Sequence, residues 1–583
     1  MKREYPDPSF ERSEWIDLNG KWEFAFDDDD RGRKEGWQEK QLPLSINVPF
    51  VYQSEKSGIG DKTYHPVIWY AREIELEEIP AEREALLNFT AADHDATVYV
   101  NGNAVLFHRG GYTPFTVPVS DYLTSGKNRI AVRCEDRHDT AQCRGKQIWT
   151  ESNFGCWYTA SSGIWGDVWL SFTGKDRIEE CMITPDLDNR MAHFEVCYTP
   201  AFSGKGTITV ELLYNDEHVS TSVFETESYR QFLHVHVKQP HSVDDIHTWA
   251  PEHPNLYTAL LTLRNREGNV LDEVKTYFGM RKISIHNGKI LLNNRPLYQR
   301  LILDQGYWED SLLTPPDDDA FRRDLELIKA MGFNGLRKHQ KIESPKFYHL
   351  ADKLGLIVWA ELPSPYSFSS DEIIEVESEM SHIVRHLYNH PSIVTWVPFN
   401  ESWGIRDVLH DRRQQEFVKG IFHIIKALDP IRLVSGNDGW EMPIHEFAAI
   451  HDYDIHDSES YWSKWGNLDE LMKHAASHRQ LLADCNTYNG EPVILTEYGG
   501  VALASQAHDG AWGYRGPAKD EKELIERLQK LMDVIYSDAR LAGFCYTQLT
   551  DVQQEVNGLL RPDRTPKCGT EIFKKIFSPR EDR

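Results

Sequence analysis

The sequence predicts a multidomain protein: an N-terminal β jelly roll, a smaller immunoglobulin-like β-sandwich and a C-terminal TIM (β/α)8 barrel. Three observations point there. The 583-residue chain is too long for a single core. Its first 281 residues run as short alternating apolar and polar stretches without intervening helices, the pattern of all-β domains. From about residue 282, amphipathic helices alternate with short apolar strands, the pattern of βα units.

In residues 1–178, "KWEFAF", "WYAREIEL", "ATVYVNGNAVLFH", "RIAVRCE" and "GDVWLSF" read as strands, and "VNGN" (100–103) centres a hairpin on Asn-Gly. In residues 179–281, "HFEVCYTPAF", "GTITVELLY", "RQFLHVHV" and "LYTALLTLRN" have the length and spacing of a small sandwich. Residues 282–583 hold the barrel. "DDDAFRRDLELIKAMG" (317–332) predicts a helix, with acids at its N-terminus and Gly at its end. Strands are expected at 297–303, 333–337, 357–361, 393–399, 432–435, 448–451, 493–496 and 543–548, eight βα units in all.

Composition narrows the function classes. Lys plus Arg total 64 against 91 Asp plus Glu, a formal net charge of −27, which disfavours nucleic acid and anionic membranes as partners. No apolar run approaches the roughly 20 residues needed to span a bilayer. The opening "MKREYPDPSFERSEW" lacks the apolar core of a signal peptide, and the eight cysteines form no CxxC pair. Both are expected of a cytoplasmic protein with reduced thiols. The acidic run "DDDD" (27–30) lacks the alternating ligands and closing Glu of a calcium loop and reads as a solvated turn.

The chemistry is announced by two carboxylates. "WVPFNESWG" (396–404) ends an apolar strand on Asn400 and Glu401, and "VILTEYGG" (493–500) places Glu497 at the end of another. In a TIM barrel all strand C-termini open on one face, so Glu401 after the fourth strand and Glu497 after the seventh can meet across the mouth. Two such groups flanking a glycosidic bond supply a proton donor and either a nucleophile or a base.

With these motifs in view, the chain resembles glycoside hydrolase family 2, the family of β-galactosidases and β-glucuronidases, over essentially its whole length. "FNESWG" is similar to the family's acid/base motif and "LTEYGG" to its nucleophile motif, with further likeness in "SGIWGDVWL" (162–170) and "ADKLGLIVWAE" (351–361). The resemblance implies a retaining β-glycosidase with Glu401 as general acid/base and Glu497 as nucleophile. It implies Asn400 on the sugar's 2-hydroxyl and Arg337 beside the nucleophile. Asp452 or Tyr453, at the end of the sixth strand, would touch the nucleophile or the sugar. His339, Trp440, Tyr498 and Gln548 would complete the sugar contacts. It implies no organic cofactor and no metal, and "HDYDIHD" shows no closed ligand set. The partner is a small-molecule or oligosaccharide glycoside. Homo-oligomers are common among such enzymes, but no interface is legible.

The chain also departs from the family. Where relatives carry His at the end of the first strand, the comparable position reads as Asp304. The eighth strand offers "FCYTQLTD" in place of a Trp platform. β-Glucuronidases grip the sugar carboxylate with an Asn-x-Lys motif after that strand. Here "QEVNGLLRPDRTPK" (554–567) keeps Asn557 but has Leu559 where the lysine would be. "GLRKHQK" (335–341) gathers Arg337, Lys338 and His339 at the end of the second strand, which leans the expectation toward β-D-galacturonides. β-D-galactosides and then β-D-glucuronides follow, with a non-catalytic carbohydrate-binding protein as the alternative of another class. The first-domain loop "CRGKQIWTESNFGCWYT" (143–159) is expected either to reach the barrel mouth, with Trp149 and Trp157 stacking on sugar, or to form domain-interface core.

Overall fold

The computed structural model describes residues 4–579 except 78–79, 81, 201, 203–204, 227, 238–245, 474–478 and 507–509. Two antiparallel sheets form the N-terminal sandwich. The larger runs Leu44–Val48, Gly20–Phe26, Val67–Leu76, Gly126–Glu135, Asp95–Val100, Asn103–Arg109. The smaller runs Trp15–Asp17, Val168–Gly174, Arg83–Phe89, Phe115–Pro118. Alternate residues of both point inward: Trp22 and Phe24, Tyr70, Leu87 and Phe89, Val98 and Val100, Val132, Val168 and Leu170 make one core. The expected hairpin turns on Asn101 and Gly102, both at positive φ (47° and 82°), the backbone that Asn-Gly accepts at least cost.

The second sandwich packs a three-stranded sheet (Ile178–Asp186, Met191–Tyr198, Arg230–His236) on a four-stranded one (Glu217–Glu225, Gly206–Tyr214, Tyr257–Asn265, Val270–Phe278). A small three-stranded sheet, Ile283–His286, Lys289–Leu292 and Arg295–Pro296, then leads into the barrel and joins its core through Ile283, Ile290 and Leu292.

All eight expected barrel strands form: β1 (Gln299–Asp304), β2 (Gly335–Lys338), β3 (Ile357–Glu361), β4 (Ile393–Val397), β5 (Leu433–Val434), β6 (Ala448–His451), β7 (Val493–Gly499) and β8 (Leu541–Thr547). They are parallel, in the order β5-β4-β3-β2-β1-β8-β7-β6. Helices follow every strand but one: among the described residues none separates β5 from β6, and no ladder joins those two strands. The expectation of eight complete βα units is corrected to seven. The two-residue β5 pairs with β4 alone, through Thr395–Leu433 and Trp396–Val434. Loop contacts span the seam instead, including the His451 amide on the Gly439 carbonyl at 3.4 Å. Gly439 (φ 103°) lets the chain pass so close that a Cβ there would lie 2.7 Å from the His451 ring. Among the described residues no helix is long and apolar enough to cross a membrane.

Candidate active site

A strand alternates its side chains, so in each barrel strand every second residue points into the barrel. At the C-terminal face this rule selects Arg337 from β2, Glu361 from β3, His451 and Tyr453 at the end of β6, Glu497 from β7 and Thr547 from β8. Asn400 and Glu401 come from the turn after β4. Glu401 and Ser402 there adopt left-handed backbone (φ 51° and 57°), a conformation that costs non-glycine residues about 1–3 kcal/mol. The turn is held by Glu401 N–H on Asp438 O (2.9 Å), Ser402 N–H on Asn437 Oδ1 (3.1 Å) and Ser402 Oγ on Glu441 Oε2 (2.7 Å). This bracing aims the Glu401 carboxylate at the centre of the mouth.

Arg337 is the hub. Its Nε donates to Glu361 Oε2 (2.6 Å). Nη1 reaches Asp438 Oδ1 (2.8 Å) and Glu497 Oε1 (3.2 Å), and Nη2 donates to Asn400 Oδ1 (2.5 Å). The side chain is fully buried and its charge is locked on, because the three carboxylates outweigh the burial that opposes it. His451 is the second cation. Nδ1 meets Glu401 Oε1 at 2.8 Å, and Nε2 meets Asp438 Oδ1 at 2.8 Å and Glu497 Oε1 at 3.4 Å. Burial alone would keep the imidazole neutral. The charge of Glu497 and the hydrogen bonds to Asp438 and Glu401 instead push its pKa up to about 10. Glu361 feels the reverse: burial raises it, but Arg337 and His339 bring it down to about 2. Glu401 is likewise held below the usual range, since the His451 hydrogen bond and charge overcome its burial.

Tyr453 Oη donates to Glu497 Oε2 at 2.6 Å and to Thr547 Oγ1 at 3.1 Å, and its ring stacks on Tyr514 (centroids 3.6 Å apart, planes at 2°). Asn400 Nδ2 is buried and, among the described residues, has no hydrogen-bond partner. Its amide is fixed by Arg337, so this donor is free for a ligand hydroxyl. Ligand atoms of Glu401, His451 and Glu497 lie within 4.8 Å of one another. The two carboxylates are therefore near the roughly 5–5.5 Å spacing of retaining glycosidases and well short of the roughly 6.5–9.5 Å of inverting ones.

Several sequence-predicted residues lie elsewhere, for one shared reason. Asp304, Lys338, Asp452 and Tyr498 are each one position out of step with an inward neighbour and face away from the mouth. Lys338 is buried against Asp304 and Glu343 (3.2 Å to the latter), over the Phe347 ring. Asp452 accepts from Trp465 Nε1 (2.9 Å) and pairs with Lys464 (3.3 Å). Tyr498 donates to Met532 in the helix Glu521–Ser537. The expected strand-two grip on a sugar carboxylate is thereby corrected: Lys338 is outside, and Arg337 is committed to Glu361, Asp438, Glu497 and Asn400. His339 does reach inward, to Glu361 (3.1 Å) and Glu497 (4.0 Å). Trp440 lies edge-on to His451 at 5.5 Å, with its Nε1 buried and unpartnered among the described residues. Gln548 accepts from Gln305 (2.5 Å) and donates to Asn557 (2.8 Å), so the inward residue after β1 is Gln305 and not Asp304.

The first-domain loop does arrive at the mouth. Gly145 N–H bonds Ser364 O (3.1 Å), Tyr158 Oη bonds Glu555, and Gln554 donates to Gly155 and Trp157 carbonyls (2.9 Å each). Trp149 stacks on Tyr366 (4.4 Å), and Trp157 sits 5.6 Å from Trp403, two residues past Glu401. The loop also delivers Lys146, which sequence reasoning passed over. Its Nζ is 4.6 Å from the Trp403 ring centre and 5.8 Å from that of Trp157, and the residue is 4% exposed. His451, Asp438, Glu361 and Gln305 were also missed, although parity along each predicted strand would have found the first and third.

Comparison with known proteins agrees with this three-domain fold. The family 2 sugar-binding domain matches residues 16–172, the central family 2 domain residues 177–281 and the family 2 TIM-barrel domain residues 283–580. The chain is 24% identical over 612 residues to a β-glucuronidase from Streptococcus agalactiae, covering 96% of this chain and 95% of that one. It is 26% identical over 490 residues to a β-galactosidase from Thermoanaerobacter pseudethanolicus, covering 79% and 62%. It spans only 53% of a third relative, from Formosa agariphila, at 27% identity. A β-glucuronidase from Ruminococcus gnavus solved with D-glucaro 1,5-lactone superposes with a TM-score of 0.78 at 20% identity, covering 97% and 98% of the two chains. The TIM-barrel match spans over half of the sequence, and the chain belongs to glycoside hydrolase family 2.

Proposed function

We propose that this chain is a retaining β-glycosidase that removes terminal β-D-uronic acids, with β-D-glucuronides as first substrates and β-D-galacturonides second. Glu497, held by Arg337 and Tyr453, attacks the anomeric carbon while Glu401 protonates the departing oxygen. The glycosyl–Glu497 ester forms as the glycosidic bond breaks. Water, deprotonated by Glu401, then cleaves that ester and releases the β-sugar. The resting Glu401 carboxylate shares a proton with charged His451. Moving that proton from Nδ1 to Glu401 Oε1 gives the neutral acid the first step requires. Asn400 Nδ2 meets the sugar 2-hydroxyl, a contact that strengthens as oxocarbenium character develops.

The observation that carries the uronide reading is Lys146. It is a buried ammonium at the mouth with no carboxylate within ion-pair distance among the described residues; against its burial, the Cys156 thiol beside it and then the fields of Glu555 and Glu401 favour its charge. Glu555 and Asn557 flank the corner where the strand-eight lysine is missing, and Lys146 brings a cation to it from another domain. The full-length likeness to β-glucuronidases from Streptococcus agalactiae and Paenibacillus borealis supports the glucuronide first.

The test compares kcat/KM on aryl β-D-glucuronide, β-D-galacturonide, β-D-galactoside and β-D-glucoside, for the parent and for Lys146→Met. The parent is expected to prefer a uronide. Lys146→Met should lose on the order of 10²-fold on it, as for a charge-assisted hydrogen bond of about 1.5–3 kcal/mol, and change little on the neutral sugars. Equal losses on all four, or a parent preference for a neutral sugar, would contradict the uronide reading.

A further inference from the structure

A second histidine sits between carboxylates where the jelly roll meets the barrel. The barrel helix Ser370–His386 turns Glu375 and Glu379, one turn apart, toward the first domain. Glutamates on the buried face of an amphipathic helix are unexpected unless something there receives their charge. The jelly roll answers with His94. Its Nε2 hydrogen-bonds Glu375 Oε1, while its Nδ1 is 2.8 Å from Asp95 Oδ1. Arg109 covers the other Glu375 oxygen at 3.0 Å.

Glu379 has no such counterpart. It is 3% exposed, and neither carboxylate oxygen finds a hydrogen bond of good geometry among the described residues. The chain passes directly over it at Gly110 (φ 120°), where a Cβ would lie 2.4 Å from Glu379 Oε1. Burial, then the charge of Glu375, push its pKa up to about 8 against the weaker help of His94 and the Gly111 amide. Donor atoms of His94, Glu375 and Glu379 all lie within 4.8 Å of one another.

We propose that His94, Glu375 and Glu379 form a site for a divalent cation of the zinc or manganese class, clamping the jelly roll to the barrel. One imidazole nitrogen and two carboxylates are donors that suit these ions, and a water completes the coordination. The Asp95 carboxylate on Nδ1 fixes the tautomer that presents Nε2 as a ligand, the arrangement that accompanies metal-bound histidine. Entry of the ion replaces the His94–Glu375 hydrogen bond, releases that proton to solvent and gives Glu379 the positive partner it lacks. The cluster includes none of the side chains placed in the glycosidic chemistry and draws its ligands from two domains, so the ion's role is to hold those domains together.

The test uses the full chain, stripped with chelator and desalted. ZnCl2 and, separately, MnCl2 are titrated by calorimetry. Metal retained after a second desalting is counted by elemental mass spectrometry, and Tm is recorded. The parent should retain about one ion per chain and gain a few degrees in Tm. Glu379→Gln, nearly isosteric, should lose both while keeping the parent's kcat/KM, and His94→Asn should do the same. Glu401, His451 and Glu497 also offer ligands within 4.8 Å of one another, so the variants assign the site. An ion retained undiminished in Glu379→Gln lies elsewhere and overturns the proposal, as does a parent that retains none and shows no change in Tm.

Discussion

The barrel mouth and the jelly-roll interface each bury a histidine among carboxylates, yet one interface acid, Glu379, titrates in the opposite direction to Glu361 at the mouth. At the mouth, Arg337 and His451 are shared by Glu361, Asp438, Glu401 and Glu497. Glu361 falls to about 2 although it is wholly buried. At the interface, Glu379 is also buried, has no cation within ion-pair distance among the described residues, and rises to about 8. Burial raises both acids; the partner decides the sign. The mouth therefore holds Glu361, Asp438 and Glu401 toward their charged forms, while the interface keeps Glu379 neutral or waits for an ion.

The largest expected effect comes from removing the hub. Arg337→Ala leaves Glu361, Asp438 and Glu497 without their shared cation, and breaking buried pairs of this kind costs about 3–5 kcal/mol. Chemical denaturation should show that loss, and turnover should vanish with it. If the variant were as stable as the parent, the account of the mouth as a charge-balanced network would fail.

Glu401→Gln removes the proton donor without removing bulk. A loss of about 10²- to 10⁴-fold in kcat/KM is expected on substrates with poor leaving groups, and much less on an activated aryl glycoside that departs unprotonated. Azide added to Glu401→Ala should restore turnover and yield the β-glycosyl azide.

His451→Phe sharpens the comparison through pH. kcat/KM needs Glu401 protonated, so activity falls as pH rises through the Glu401 pKa. Losing the His451 charge raises that pKa and should move the basic limb to higher pH. His451 itself has a folded pKa raised to about 10 from an ordinary value near 6.5. Its contribution to stability is full below about pH 6.5 and lost as pH rises toward 10, and the variant should lack that decline.

The smallest effect is at the interface. Because the Glu379 pKa is raised in the folded state, the native protein binds a proton that the unfolded chain has released between about pH 4.5 and 8. Stability of chelator-treated protein should therefore fall as pH rises across that window. His94, Asp93, Asp95, Glu375 and Arg109 surround the group and contribute their own slopes, so the readout is the difference between parent and Glu379→Gln in Tm against pH. Identical slopes would mean that Glu379 stays charged and satisfied.

Much of the architecture was legible in the sequence, because hydrophobic period and turn residues report it directly. The eight barrel strands sit where apolar runs predicted them, and the Asn101–Gly102 hairpin turns where expected. The seam at β5–β6 was not legible, because a two-residue strand resembles any short apolar stretch. In the site, Glu401, Glu497, Asn400, Arg337, His339 and Tyr453 were reached through motifs and converge as expected. Asp304, Lys338, Asp452 and Tyr498 did not, since strand ends reveal depth along the barrel while only parity decides facing. A one-residue step sends Lys338 to Asp304 and Arg337 to Glu497. Lys146 was beyond such reasoning altogether. It reaches the mouth on a loop from another domain, and its place depends on contacts with Ser364 and Tyr366 that no local pattern announces.

The most direct test of the central claim is covalent trapping with a 2-deoxy-2-fluoro-β-D-glucuronyl fluoride, followed by peptide mapping. The fluorine slows hydrolysis of the intermediate, so the nucleophile retains the sugar. The account predicts one label per chain, on Glu497, with inactivation in step. A label on Glu401, or turnover of an aryl β-D-glucuronide with inversion and no label, would contradict it.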